Sequence, residues 1–199
     1  MKTLQEVLTY SLEDCKRVVE QLYLPSTTFF IQHVAELLAD CFRRNHKVLI
    51  AGNGGSLCDA MHFAQELTGF FRQQRPAWSA LPLSDSAHMS CTGNDLGFEK
   101  VFARGVEAHG RPGDIFVGLT TSGNSPNLIH AFDEAKQRGL KTIAFLGKGG
   151  GKLKGIADIE FLVENVMTSD RIQEAHMTAI HLIIELIEAH LVPPKLAMG

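Results

Sequence analysis

Leu4, Val7, Leu8, Leu12, Cys15, Val18, Val19 and Leu22 recur at helical spacing, which predicts an amphipathic helix over residues 3–22. Pro25-Ser26-Thr27 breaks that pattern and can start a second helix, running to about Arg44. Beyond it, short apolar runs alternate with helical periodicity. KVLIAG (47–52), SALPLS (79–84), DIFVGLTT (114–121), KTIAFLG (141–147) and ADIEFLVE (157–164) read as strands. Helices are expected over about 56–71, as two short pieces between 85 and 109 split at Gly93-Asn94-Asp95, over 125–138 closing at Gly139, and over 170–191. Strands that are apolar on both faces, with helices between them, imply a parallel sheet covered on each side. The expected fold class is therefore α/β, a doubly wound five-stranded parallel sheet flanked by helices, as one domain. Residues 1–45 supply N-terminal helices, and residues 46–192 the α/β core with its C-terminal helix.

Composition narrows the function classes. A net charge of −3 over 199 residues offers no broad basic field, so no nucleic-acid partner is expected. The basic FFRQQR at 70–75 reads as the solvated end of a helix. Cys15, Cys41, Cys58 and Cys91 show no CxxC spacing and read as reduced thiols serving as small apolar residues. Glu6, Glu13 and Asp14 interrupt the N-terminus, which does not read as a signal peptide, and no apolar run approaches a membrane span. A cytoplasmic protein with no membrane partner is expected.

Ligands of open α/β sheets sit beyond the carboxyl ends of the strands. Three such ends carry polar loops: Ala-Gly-Asn-Gly-Gly-Ser (51–56), Ser-Asp-Ser (84–86) and Thr-Thr-Ser-Gly-Asn-Ser (120–125). The last crowds Thr120, Thr121, Ser122 and Ser125 around Gly123 at a helix start, where free N–H groups attract phosphate. Ser125 or Asn124 could simply cap that helix, but one cap needs one such residue. GNGGS is not GxGxxG, so a nucleotide cofactor is not expected, and a small monophosphorylated molecule fits better. GKGGGKLKG (147–155) lacks a P-loop ending and reads as a mobile surface connection.

His62 and Glu66 lie four apart on the helix after GNGGS and share a face, as a metal pair or an acid/base pair would. The last helix carries His176, His181 and His190 beside the stripe Ile172, Ala175, Ala179, Leu182, Ile183, Leu186 and Ile187, which reads as core or subunit interface.

GNGGSLCDAMHFAQELTG, GNDLGF (93–98), TTSGNSPNLI (120–129) and SDRIQEAHMTAIHLIIELIE (169–188) together resemble the phosphoheptose isomerases of the sugar-isomerase (SIS) domain family. The resemblance implies a SIS fold and a homotetramer, with sites between subunits and the N-terminal helices used in packing. It implies conversion of D-sedoheptulose 7-phosphate to D-glycero-D-manno-heptose 7-phosphate, the first step toward ADP-heptose for lipopolysaccharide. It places substrate contacts on Asn53, Gly54, Gly55, Glu66, Asn94, Asp95, Thr120, Thr121, Ser122, Ser125 and Gln173. Zinc ligands fall on His62, Glu66, Gln173 and His181, and the acid/base pair on Glu66 and His181. Thr120 stands where Ser is frequent, and Leu57 and Gln65 replace polar or acidic residues of relatives. Non-catalytic relatives that bind a replication initiator lack the Glu and the final His, both present here. Isomerisation of another sugar phosphate is the other alternative.

Gln173 and His181 are eight residues apart, roughly 12 Å along a helix at 1.5 Å per residue. One ion reaching both would be a stretch, so the complete site is expected to draw on more than one subunit.

Overall fold

The computed structural model describes residues 2–193. Helices α1 (Leu4–Glu20) and α2 (Pro25–Arg43) precede an α/β core. The core comprises β1 (Val48–Gly52), α3 (Gly55–Thr68), β2 (Ala80–Pro82), α4 (Ser86–Leu96), α5 (Val101–His109), β3 (Ile115–Thr120), α6 (Pro126–Gln137), β4 (Lys141–Gly147), β5 (Ile159–Val163) and α7 (Ser169–Leu191). All strand pairs are parallel, in the order β2-β1-β3-β4-β5. The expected doubly wound five-stranded sheet is what the chain forms.

Local chemistry explains the element ends. α1 opens with a capping box, in which the Glu6 N–H donates to Thr3 Oγ1 and the Thr3 N–H to Glu6 Oε2. Pro25 supplies the first position of α2, where its missing N–H costs nothing. β2 is a three-residue edge strand that contains Pro82, as an edge tolerates.

Every residue of β1 and β3 is buried, because each sheet face carries its own core. Val48, Ile50, Val117, Phe145 and Phe161 pack with α2, α3 and α7. Leu49, Phe116, Ala144 and Leu146 face α5 and α6. The α7 stripe splits in two: Ile172, Ala175, Ala179, Ile183 and Ile187 are fully buried, whereas Leu182 and Leu186 remain 38% exposed. On α1, Leu4, Val7, Leu8 and Leu12 are exposed in the single chain. No helix among the described residues is long and apolar enough to cross a membrane.

Three expectations need correction. Gly93-Asn94-Asp95 does not split a helix; it lies in the last turns of α4, which ends where Gly97 takes a φ of 92°. The helix expected to reach residue 71 ends at Thr68, and FFRQQR is a loop folded onto α7 rather than a solvated helix end. Of the cysteines, all unpaired, only Cys41 is buried; Cys58 and Cys91 lie at the surface.

Candidate active site

The sheet order reverses direction between β1 and β3, and the loops that follow those two strands flank the crevice this creates. The loop after β1 turns through Gly54 (φ 55°) into α3. Its Asn53 forms a reciprocal amide pair with buried Asn127 of α6, each side-chain N–H2 donating to the other's carbonyl at 2.9 Å. That pair ties the two loops together and commits the Asn53 side chain.

Asn53, Ser56, Thr120, Thr121, Ser122, Ser125, Ser169 and Gln173 line a pocket of about 180 Å³ at this crevice. The hydroxyls here are held from several sides. The Gly123 N–H donates to Thr120 Oγ1 (3.1 Å), the Asn124 N–H to Ser122 Oγ (3.2 Å), and Thr121 Oγ1 lies 3.1 Å from Ser169 Oγ. Ser125 sits at the N-cap of α6, yet its side chain makes no capping hydrogen bond. Its hydroxyl lines the pocket with no bond to the helix. Gln173 Nε2 donates to Ser56 Oγ at 3.4 Å, and a Cβ on Gly55 would come within 2.6 Å of the Gln173 amide, so glycine there admits that side chain.

The Gly- and Lys-rich segment after β4 is docked, not a loose connection. Gly123 (φ 64°) approaches it so closely that a Cβ would lie 1.8 Å from the Gly150 carbonyl oxygen. The Leu153 N–H donates to the Gly123 carbonyl, and the Lys152 N–H to Asn124 Oδ1. Lys148 Nζ donates to Ser169 Oγ at 3.1 Å, bringing a cation to the pocket rim. Neither Ser169 nor Lys148 was singled out from sequence. The signal for Lys148 was its place just beyond a strand's carboxyl end.

The second constellation lies further along α3. α3 and α7 run side by side in the same direction, so Gln173 meets Ser56 while His181 meets His62. His181 Nε2 is 3.2 Å from His62 Nε2, and His62 Nε2 is 3.3 Å from Glu66 Oε1. Phe71 stacks on the His181 ring at 5.5 Å. Burial depresses the His181 pKa below its ordinary value, His62 and Arg72 push the same way, and Glu66 opposes them. The shift favours the neutral imidazole, in which one nitrogen can accept a proton and the other donate. Asp59, one turn before His62, is pushed up to about 6 by burial, against the pull of His62.

Two imidazoles and a carboxylate are a zinc donor set, and tetrahedral ligands about 2.0–2.1 Å from zinc stand about 3.3 Å apart. The two contacts at His62 match that edge length. They do not close into a three-ligand cluster: no group of three His, Cys, Asp or Glu among the described residues is arranged to hold a metal. Gln173 belongs to the hydroxyl pocket, in keeping with its separation from His181 along the helix. Asn94 and Asp95 are exposed on α4, where the Asn94 amide donates to Asp95 Oδ1, and neither reaches the pocket.

Residues 12–147 match the SIS domain family. Curated phosphoheptose isomerases from Fusobacterium nucleatum and Escherichia coli are each 54% identical over 162 residues, 81% of this chain and 83% and 84% of theirs. Among solved structures, a phosphoheptose isomerase from Neisseria gonorrhoeae superimposes with a TM-score of 0.85 at 36% identity, covering 94% of this chain and all of that one. Another from Francisella tularensis gives 0.86 at 33% identity, covering 95% and 100%. The chain belongs to the SIS domain family, within its group of phosphoheptose isomerases.

Proposed function

We propose that this protein is the isomerase converting D-sedoheptulose 7-phosphate to D-glycero-D-manno-heptose 7-phosphate, with Glu66 and His181 as its acid/base pair. One observation carries the reading. A hydroxyl-lined pocket and a His–Glu–His cluster lie along the same pair of parallel helices. Ser56 and His62 are about 9 Å apart at 1.5 Å per residue of helix. A substrate phosphate in the pocket would thus place carbons several bonds away at the cluster, as in a sugar phosphorylated far from its carbonyl.

Glu66 would take the proton from C1 of the ketose and return it at C2, through an enediol. His181, in its neutral form, would accept the O1 proton and deliver it to O2. The phosphate would be held by Ser125, Ser122, Thr121, Thr120 and the N–H groups at the start of α6, with Lys148 at the rim. Gly54 and Gly55 would let the sugar approach the backbone. Zinc would supply Lewis acidity once assembly draws His62, Glu66 and His181 into one ligand set and a second copy brings its own Gln173 to it.

The pocket is smaller than the roughly 300–1,000 Å³ of whole-ligand clefts. Together with the exposed Asn94 and Asp95, that favours a site completed by a second copy in a homotetramer. The exposed apolar face of α1 and an apolar groove of about 600 Å³ bordered by Val19, Leu22, Ile31, Leu182 and Leu186 favour the same assembly. The product would enter ADP-heptose synthesis for lipopolysaccharide in the cytoplasm. Incubation with sedoheptulose 7-phosphate, following appearance of the aldose, tests the reaction. Glu66→Gln should bind inorganic phosphate like the parent but lose turnover; turnover near parental rates would remove Glu66 from the mechanism.

A further inference from the structure

The FFRQQR loop carries a second device. Arg75 and Glu188 form an ion pair whose side chains are each 1% exposed, between the end of α3 and the last turns of α7. Arg75 Nε donates to Glu188 Oε1 at 3.1 Å. Its remaining donors fan out over the end of α3: Nη2 to the Glu66 carbonyl at 2.8 Å, and Nη1 to the carbonyls of Leu67, Gly69 and Pro76 at 3.0–3.2 Å. The guanidinium lies 3.5 Å above the Trp78 ring. It therefore satisfies the Glu66 carbonyl, which the end of α3 leaves without a helical partner, and shares the Leu67 carbonyl with the Trp78 N–H. Glu188 in turn accepts the backbone N–H groups of Phe71, Arg72 and Gln73 at 2.9–3.1 Å. Fixing that stretch of backbone fixes Phe71, whose ring lies on His181.

We propose that the Arg75–Glu188 pair is a positioning latch for the reaction centre, holding Glu66 through its backbone carbonyl and His181 through Phe71. This rests on the reading of Glu66 and His181 as the acid/base pair. A buried ion pair is weak evidence of stabilisation, because well-packed apolar replacements are often as stable. What apolar replacements cannot do is join five acceptor groups on two helices and a loop in one fixed geometry, which is the capacity of a planar guanidinium. Lysine, a single ammonium, cannot span the same set.

The test uses Arg75→Lys, Glu188→Gln and the double variant R75M/E188L, each checked for folding by thermal unfolding and gel filtration. Folded variants are expected to lose about 10- to 100-fold in kcat, the scale of a displacement of about 1 Å at a reaction centre. KM and the inhibition constant of inorganic phosphate should stay within about twofold, since the hydroxyl pocket is untouched. Parental kcat in folded R75M/E188L overturns the latch. Failure of all three variants to fold overturns it as well, because the pair would then serve the fold and not the reaction geometry. Glu66→Gln measured alongside separates the two ideas. Surviving turnover there removes the catalytic reading, whereas lost turnover there with parental kcat in R75M/E188L removes the latch alone.

Discussion

Ser125 occupies a position where two roles predict opposite outcomes. As a helix N-cap, its replacement by Ala should cost about 1 kcal/mol of stability. For a chain of this size that is about 2–4 °C in Tm. The structure shows the backbone carbonyl of Ser125 accepting from Leu128 and Ile129, but no hydrogen bond from its side chain to the helix. Ser125→Ala should therefore leave Tm within about 1 °C of the parent in phosphate-free buffer. The hydroxyl instead lines the pocket beside Thr121 and Ser122.

A hydrogen bond to a charged group contributes about 1.5–3 kcal/mol. Its loss corresponds to about 10- to 150-fold in affinity, since each 1.4 kcal/mol is a factor of ten. The lower end is expected, because neighbouring hydroxyls and the N–H groups of α6 remain. Calorimetric titration with inorganic phosphate reads the affinity, and thermal unfolding with and without phosphate reads the linked stabilisation. The parent should gain Tm with phosphate at concentrations where Ser125→Ala gains almost none. A fall of 2–4 °C without phosphate, with unchanged phosphate affinity, would show that Ser125 caps the helix and does not bind the ligand.

His176 is fully buried, and burial pushes its pKa down to about 4 against the raising effect of its bond to the Leu146 carbonyl. The native state then binds fewer protons than the unfolded chain between pH 6.5 and about 4, so this contribution is complete above pH 6.5 and lost as pH falls. Denaturant unfolding should show about 2 kcal/mol less stability at pH 5 than at pH 7 from this residue, and His176→Leu should flatten that slope; an unchanged slope refutes the assignment. Dialysis against a chelator should lower turnover and zinc content together, with recovery on adding zinc, and His62→Ala should bind less zinc; parental turnover in zinc-free protein would remove the metal from the reaction.

The sheet was legible because strands buried on both faces must be apolar throughout, and β1, β3 and β4 are short runs of that kind. The loop after β3 was legible as a pocket wall because its polar residues outnumber what one helix cap can use. The segment after β4 is ambiguous in sequence for a physical reason: glycine supplies looseness in a solvated loop and close approach in a docked one, and composition does not distinguish them. Only the contact of Gly123 with Gly150 does. The latch was hidden differently. Beside its immediate neighbours Arg75 reads as one of several solvated charges, while its partner stands 113 residues away. The usable sign lay on the other side of the pair. Glu188 follows Ile184 by one helical turn, next to Ile187, so a helix packed on that face must bury its carboxylate. A buried carboxylate requires N–H donors and a cation. A basic loop that joins the neighbouring helix to the sheet is where both can be found, so an acidic residue inside an apolar stripe is reason to read the nearest basic loop as packed before reading it as surface.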